Sequence, residues 1–158
     1  ISHVNPFSKK VKVVHIDGKG RGVIAQEPIL KGEHVWTGRL YTATFDDEDD
    51  FQKFLASIRV DIACDVIHWM YIENFEDEYY ISVDLDDGSF INNAGPSWGV
   101  EPNIVDSPAD NSSIGDNSSN LMVAIKDIAV GEELLCDYSD FDQQEGWDYF
   151  ELGNIGEL

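Results

Sequence analysis

The sequence predicts a mainly β (α+β) fold of several short sheets, and three observations carry that prediction. Short apolar runs recur between glycine-bearing turns, the first being residues 11–15 and 22–25 around Asp17-Gly18-Lys19-Gly20-Arg21. A spacing is repeated: Ala25-x-x-x-Ile29-x-x-Gly32-Glu33 returns as Ala124-x-x-x-Ile128-x-x-Gly131-Glu132, each copy reading as strand, turn, strand. Between the copies only one stretch has clear helical spacing, residues 46–58, whose acidic start suits a helix N-terminus.

In order along the chain, residues 11–15 and 22–25 form the opening strands and Glu33-His34-Val35-Trp36 the next. Phe51, Phe54, Leu55 and Ile58 give the helix of residues 46–58 its apolar face. The aromatic-rich runs Ile67-His68-Trp69-Met70-Tyr71-Ile72 and Tyr79-Tyr80-Ile81-Ser82-Val83 read as strands. Residues 106–120, rich in Asp, Ser and Asn, read as a surface loop before the apolar run of residues 121–138. Trp147, Tyr149 and Phe150 fall on a short helix at about residues 141–152. A chain of 158 residues fits one domain, residues 1–158, with a helix-bearing insert at about 40–80.

Charge is the dominant compositional fact. Thirty-one acidic residues against ten basic ones give a net charge of -21, which repels nucleic-acid phosphates and attracts a cationic partner. No direct nucleic-acid contact is expected, and a lysine-rich polypeptide is the natural ligand. Solubility alone is the competing explanation of the acidity. No run approaches the roughly 20 apolar residues that span a bilayer, so no membrane contact is expected. Residues 1–10 are too polar for a signal peptide. A start at Ile1 is expected of a trimmed piece, which leaves a secretory route open beside the expected nuclear or cytoplasmic location. A monomer is expected. Cys64 and Cys136 make no disulfide framework, and the triplets Asn111-Ser112-Ser113 and Asn117-Ser118-Ser119 read as chance occurrences in a polar loop.

Several motifs taken singly have structural readings. Gly18-Lys19-Gly20-Arg21-Gly22 lacks the spacing of a nucleotide-phosphate loop, and Asp84-x-Asp86-Asp87-Gly88 lacks the later glycine and glutamate of a calcium loop. Cys64 and His68 stand one helical turn apart with no second pair, so no metal is expected. Trp36 reads as core and Trp98 as loop packing.

Taken together the segments say more. Gly-Lys-Gly-Arg-Gly before Val23-Ile24-Ala25, then Phe90-Ile91-Asn92-Asn93 with Pro102-Asn103, and finally Gly131-Glu132-Glu133-Leu134-Leu135-Cys136-Asp137-Tyr138, resemble the ordered motifs of SET-domain protein lysine methyltransferases. The resemblance runs from about Val11 to Tyr138, and more loosely to Trp147. Its nearest look is to the histone-tail monomethylating branch, which lacks zinc-binding cysteines after the catalytic tyrosine. It implies a SET fold with a knot-like C-terminal crossing and S-adenosylmethionine as cofactor.

Carried over residue by residue, the resemblance assigns Tyr138 to the transfer centre. It assigns Lys19, Gly20 and Arg21 to the cofactor's methionine end, and Trp69, Asn92 and Asn93 to further cofactor contacts. Trp147 would stack on the adenine, and Cys136, two before the tyrosine, would govern how many methyl groups are added. The chain departs from the family pattern where Asn93 replaces His, Ala94-Gly95 replaces Ser-Cys, Ser89 replaces Arg, and residues 96–101 enlarge the turn before Pro102.

The chemistry needs such an arrangement. A lysine amine with a pKa of about 10.4 is protonated at neutral pH, so a dry channel and a neighbouring sulfonium must lower that value before it can attack a methyl group. Positioning supplies most of the rest. The expected substrate is a histone tail, with a polycationic biomineralisation peptide as an alternative. A catalytically silent module that binds basic peptides is the alternative outside enzymes.

Overall fold

The computed structural model describes residues 4–75, 77–95, 99–107, 121–140, 142 and 144–152. These hold ten strands and three α-helices, and the strands form four small sheets, as a mainly β fold of several short sheets requires. The chain divides into two compact units, one from Ile1–Tyr41 with Asp86–Tyr138 and one from Thr42–Leu85 with Ser139–Leu158.

In the first unit β1 (Val11–Ile16) and β2 (Gly20–Ala25) make an antiparallel hairpin from Val11↔Ala25 to Ile16↔Gly20. Strand β3 (His34–Thr37) is the edge of a second sheet. The second unit supplies β4 (Thr42–Phe45), β5 (Tyr71–Phe75) and β6 (Glu78–Asp84). Back in the first unit come β7 (Asn92–Asn93), β8 (Ile104–Asp106), β9 (Leu121–Ala124) and β10 (Leu135–Cys136). Sheet order there is β3-β9-β8, all antiparallel, and β10 lies parallel to β7.

The repeated spacing becomes a reciprocal pair of turns. Ile29 and Ile128 exchange backbone bonds, Ile29 N to Ile128 O at 3.0 Å and Ile128 N to Ile29 O at 2.8 Å. Gly32 N donates to Ala124 O at 2.7 Å, and Gly131 N donates to Ala25 O at 2.8 Å. Each glycine sits at positive φ, +87° and +85°, where a side chain would be strained. Each glutamate caps its own turn, Glu33 on Leu30 N at 2.7 Å and Glu132 on Ala129 N at 3.0 Å. Val23, Ile29, Val35, Ile104 and Leu134 are fully buried, so the strands around these turns form the unit's core.

In the second unit β6 is central to the antiparallel sheet β4-β6-β5. Helix α1 (Glu48–Ser57) starts at Asp47, whose side chain accepts from Asp50 N, and Glu48, Asp49 and Asp50 add acid to the first turn. Its apolar stripe buries Phe51 in a cluster with Val66, Met70, Ile72, Ile81, Val83, Phe150 and Leu152. Removing a ring of this kind costs about 3–5 kcal/mol.

Residues 67–69, predicted as strand, instead end helix α2 (Val60–Trp69), and β5 begins only at Tyr71. The reason is that Val66 and Met70 repeat at helical spacing and are both buried, which outweighs the strand preference of the aromatic and branched side chains. Cys64 and His68 thus lie on α2, where His68 Nδ1–H donates to the Cys64 carbonyl at 2.6 Å. Helix α3 (Gln144–Tyr149) falls inside the expected range 141–152. Trp98, the two Asn-Ser-Ser triplets and most of the 106–120 loop lie outside the described residues.

Candidate functional site

The site of the first unit is built on a short helical turn, Asp87–Phe90. Asp86 caps it, accepting from Gly88 N at 2.6 Å and from Trp36 Nε1 at 3.1 Å. Gly88 lies against the indole so closely that a Cβ would stand 2.4 Å from the ring. Burial pushes the Asp86 carboxyl above the ordinary carboxylate range and the Asp87 charge adds to this, while the bonds from Gly88 and Trp36 oppose it. Ser89, at the departure from Arg, donates its hydroxyl to the Asp86 carbonyl at 2.8 Å. The turn closes through Ile91 N to Gly88 O at 3.0 Å.

From this turn the chain enters β7 and meets β10. Ladder pairs Leu135↔Asn92 and Cys136↔Asn93 run parallel, and Ala94 N donates to the Cys136 carbonyl at 2.7 Å. Asn103 holds the other side of β10. It is 1 % exposed, its backbone N–H donates to Leu135 O at 3.0 Å, and its side chain accepts from Leu135 N at 2.8 Å and donates to Glu133 O at 2.7 Å. An asparagine side chain can mimic a peptide group in this way, which leaves the buried amide satisfied.

Tyr138 comes directly after and is fixed at two points. Its backbone N–H donates to Asn93 Oδ1 at 3.0 Å, and its phenol donates to the Ile91 carbonyl at 2.8 Å. Cys136, two residues earlier, is buried.

The β1–β2 hairpin joins the same crossing. Glu133 Oε2 pairs with Lys19 Nζ at 2.9 Å, and Glu133 Oε1 accepts from Asn92 Nδ2 at 2.8 Å. Asn92 Nδ2 also reaches the Arg21 carbonyl at 2.8 Å. The Arg21 guanidinium lies 4.3 Å from the centre of the Phe90 ring, within cation–π range, and the residue is exposed.

Six predicted residues, Lys19, Arg21, Asn92, Asn93, Cys136 and Tyr138, are therefore tied into one bonded cluster, with Gly20 between the first two. Trp69 and Trp147 belong to the second unit, where both are half-buried against its apolar cluster. Trp147 Nε1 donates to Asp142 Oδ1 at 2.9 Å, an oxygen that also accepts from Ile72 N at 3.1 Å. Gly146 lets α3 approach this closely, since a Cβ there would stand 2.1 Å from an Ile72 methyl.

Sequence reading did not single out Glu133, Asn103, Asp86 or Asp142 as site residues. Glu133 had a signal: the first copy of the repeat has one glutamate after its glycine and the second has two, so one carboxylate exceeds what capping the turn requires. Asp142 and Asp86 act through contacts with Ile72 and Trp36, remote in sequence, and no local pattern marks them.

The SET domain family model matches residues 20–139. A comparison with curated protein sequences finds no match. Among solved structures, the chain resembles Polycomb Repressive Complex 2 of Chaetomium thermophilum in an autoinhibited conformation bound to S-adenosylmethionine. That likeness has 20 % identity and a TM-score of 0.59 over 90 % of this chain and 17 % of that one. It also resembles SET8 from Cryptosporidium, at 22 % identity and a TM-score of 0.54 over 84 % of this chain and 58 % of that one. The chain thus spans less than two thirds of either relative, and at these identities the likeness is one of fold. With the family match running from β2 through the β7–β10 pair to Tyr138, the chain belongs to the SET-domain family of protein lysine methyltransferases, which use S-adenosylmethionine.

Proposed function

We propose that the chain transfers methyl groups from S-adenosylmethionine to lysine side chains of a basic protein, a histone tail in the first instance. The observation that carries this is the double anchoring of Tyr138, at its amide by Asn93 and at its phenol by Ile91, beside the parallel crossing.

The residues present suit the cofactor. Gly20 has no described atom within 4 Å of where its Cβ would stand, so backbone can approach a ligand there, and exposed Arg21 offers a cation to a carboxylate. When bound, the cofactor supplies a methyl group on a positively charged sulfur. Tyr138 orients the incoming lysine amine, and withdrawal of that amine from water on binding favours its neutral form. Trp69 and Trp147 are proposed as its further contacts, Trp147 by stacking on the adenine.

Charge supports a polycationic substrate. Thr42–Leu85 and Ser139–Leu158 together hold eighteen acidic and two basic residues, whereas residues 1–41 hold three acidic and seven basic ones. That concentration of acid favours, as a second reading, a lysine-rich peptide of non-histone origin such as a biomineralisation polycation. The silent-module reading rests on Asn93 and Ala94-Gly95, which stand where the family has His-Ser-Cys.

Transfer of labelled methyl to a panel of histones and lysine-rich peptides, with cofactor binding by calorimetry, tests the proposal. Label should appear on lysine, and apparent substrate affinity should fall as salt screens charges beyond about 8 Å. Cofactor binding without transfer to any peptide would favour the silent module. We further propose that the small buried thiol of Cys136 leaves room for di- or trimethyl product. Cys136→Tyr should then shift the product toward monomethyl in mass spectra at exhaustive turnover, and a wild type halted at one methyl would remove this role.

A further inference from the structure

We propose that Glu133 is the positioning residue of the cofactor-facing hairpin, and that Lys19 serves the cofactor through it and not by touching it. The inference rests on the methyltransferase function proposed for the chain. It reassigns one residue that resemblance places in contact with the cofactor.

One carboxylate joins three segments far apart in sequence. Its Oε2 holds the Lys19 ammonium at 2.9 Å and its Oε1 holds the Asn92 amide at 2.8 Å. Through Asn92 the same carboxylate is linked to the Arg21 carbonyl, again at 2.8 Å. The Lys19 and Glu133 side chains are only 13 % and 16 % exposed. At that depth the bonds are charge-assisted and weakly screened, and removing one partner strands the other.

The space is shaped for this arrangement. A Cβ on Gly22 would stand 2.7 Å from Glu133 Oε1, 2.9 Å from Asn92 Nδ2 and 2.6 Å from Ile16 Cγ1, so only glycine lets the carboxylate and amide meet over the strand. The other copy of the turn supplies a built-in control. His34, which occupies the place after the capping glutamate there, bonds instead to Thr37 Oγ1 at 3.0 Å. Capping of the second turn is done by Glu132 alone, so Glu133 is not needed for the turn itself.

Glu133→Gln, Lys19→Met and the double variant separate positioning from direct contact. If Glu133 positions the hairpin, each single variant should weaken cofactor binding about tenfold or more by calorimetry, and the double variant should be no worse than either single one. KM for the cofactor should rise with kcat little changed, and Lys19→Arg should restore most of the loss. If Lys19 touches the cofactor directly, Glu133→Gln should leave binding unchanged or tighter while Lys19→Met still weakens it. That result overturns the proposal.

Hydrogen exchange of the cofactor-free protein gives a readout independent of the reaction. The Lys19 amide, which donates to Ile16 O at 3.1 Å, should exchange faster in Glu133→Gln and Lys19→Met. Unchanged exchange in both would also overturn the proposal. A wild type that binds no cofactor would remove the methyltransferase reading, while the exchange experiment would still decide the role of Glu133. Should Glu133→Gln fail to fold, Lys19→Met against Lys19→Arg carries the comparison.

Discussion

In the first copy of the repeated turn the chain leaves Glu33 into β3, which runs antiparallel to β9; in the second it leaves Glu132 into β10, which runs parallel to β7. The turns themselves match in backbone bonds, glycine conformation and glutamate caps. Two places after each capping glutamate stands a fully buried apolar residue, Val35 in one and Leu134 in the other. They part at the place between, His34 against Glu133, and again beyond the buried residue. Where Trp36 leads into packing against Asp86 and Gly88, Cys136 and Tyr138 lead into the crossing. The comparison teaches that the matched turns build a scaffold, and that the chemistry is carried by the residues appended to one of them.

The largest effect should come from the appended residues. Tyr138→Phe is expected to lower methyl transfer at least about a hundredfold, as for loss of a group acting at the reacting atoms. Stability should fall by only about 1 kcal/mol for the lost bond to Ile91. Steady-state turnover beside urea unfolding checks both, and full turnover would return the tyrosine to a structural role. Val35→Ala, in the other extension, should cost stability and leave turnover alone.

The matched turns should respond alike. Ile29→Ala and Ile128→Ala are each expected to cost about 2–5 kcal/mol, since both side chains are buried to 1 % exposure or less and exchange the same bonds. Denaturant midpoints that differ widely between the two would break the structural equivalence.

The smallest effect concerns pH and sharpens the contrast between the extensions. The first rests on Asp86, whose folded pKa is raised, chiefly by burial, so its contribution to stability is full below its ordinary value of 3.8 and is lost as pH rises through the raised one. Asp86→Asn keeps an oxygen for Trp36 and Gly88. It should therefore raise Tm slightly at neutral pH, with the gain fading in acid where Asp86 is protonated. β10 is held by neutral Asn103, and variants there should show no such pH dependence.

The elements legible in the sequence were those with local causes. Asp47 with the acids after it marked α1, the repeated Ala-Ile-Gly-Glu spacing marked both turns, and the ordered motifs brought Asn92, Asn93 and Tyr138 to one place. What stayed hidden depended on tertiary neighbours. The stretch ending at Trp69 is helical because Val66 and Met70 face a core supplied by Phe51, Ile81 and Phe150. The orientation of Trp147 depends on Asp142, and that of Lys19 on a carboxylate 114 positions away. No periodicity within a short window reports such partners.

The reciprocal bonds between Ile29 and Ile128 also bear on how the protein comes into being. Ninety-nine positions separate the two residues, so the contact that joins the turns is among the most non-local in the chain and must wait for a large loop to close. During synthesis residues 25–33 emerge first, with backbone donors and acceptors whose partners have not been made. Until residues 124–132 arrive, the backbone groups of Ile29 that bridge to Ile128 are open to pairing with another chain. Slow folding for a protein of this size, and aggregation of fragments ending before the second turn, are consequences of the same pairing.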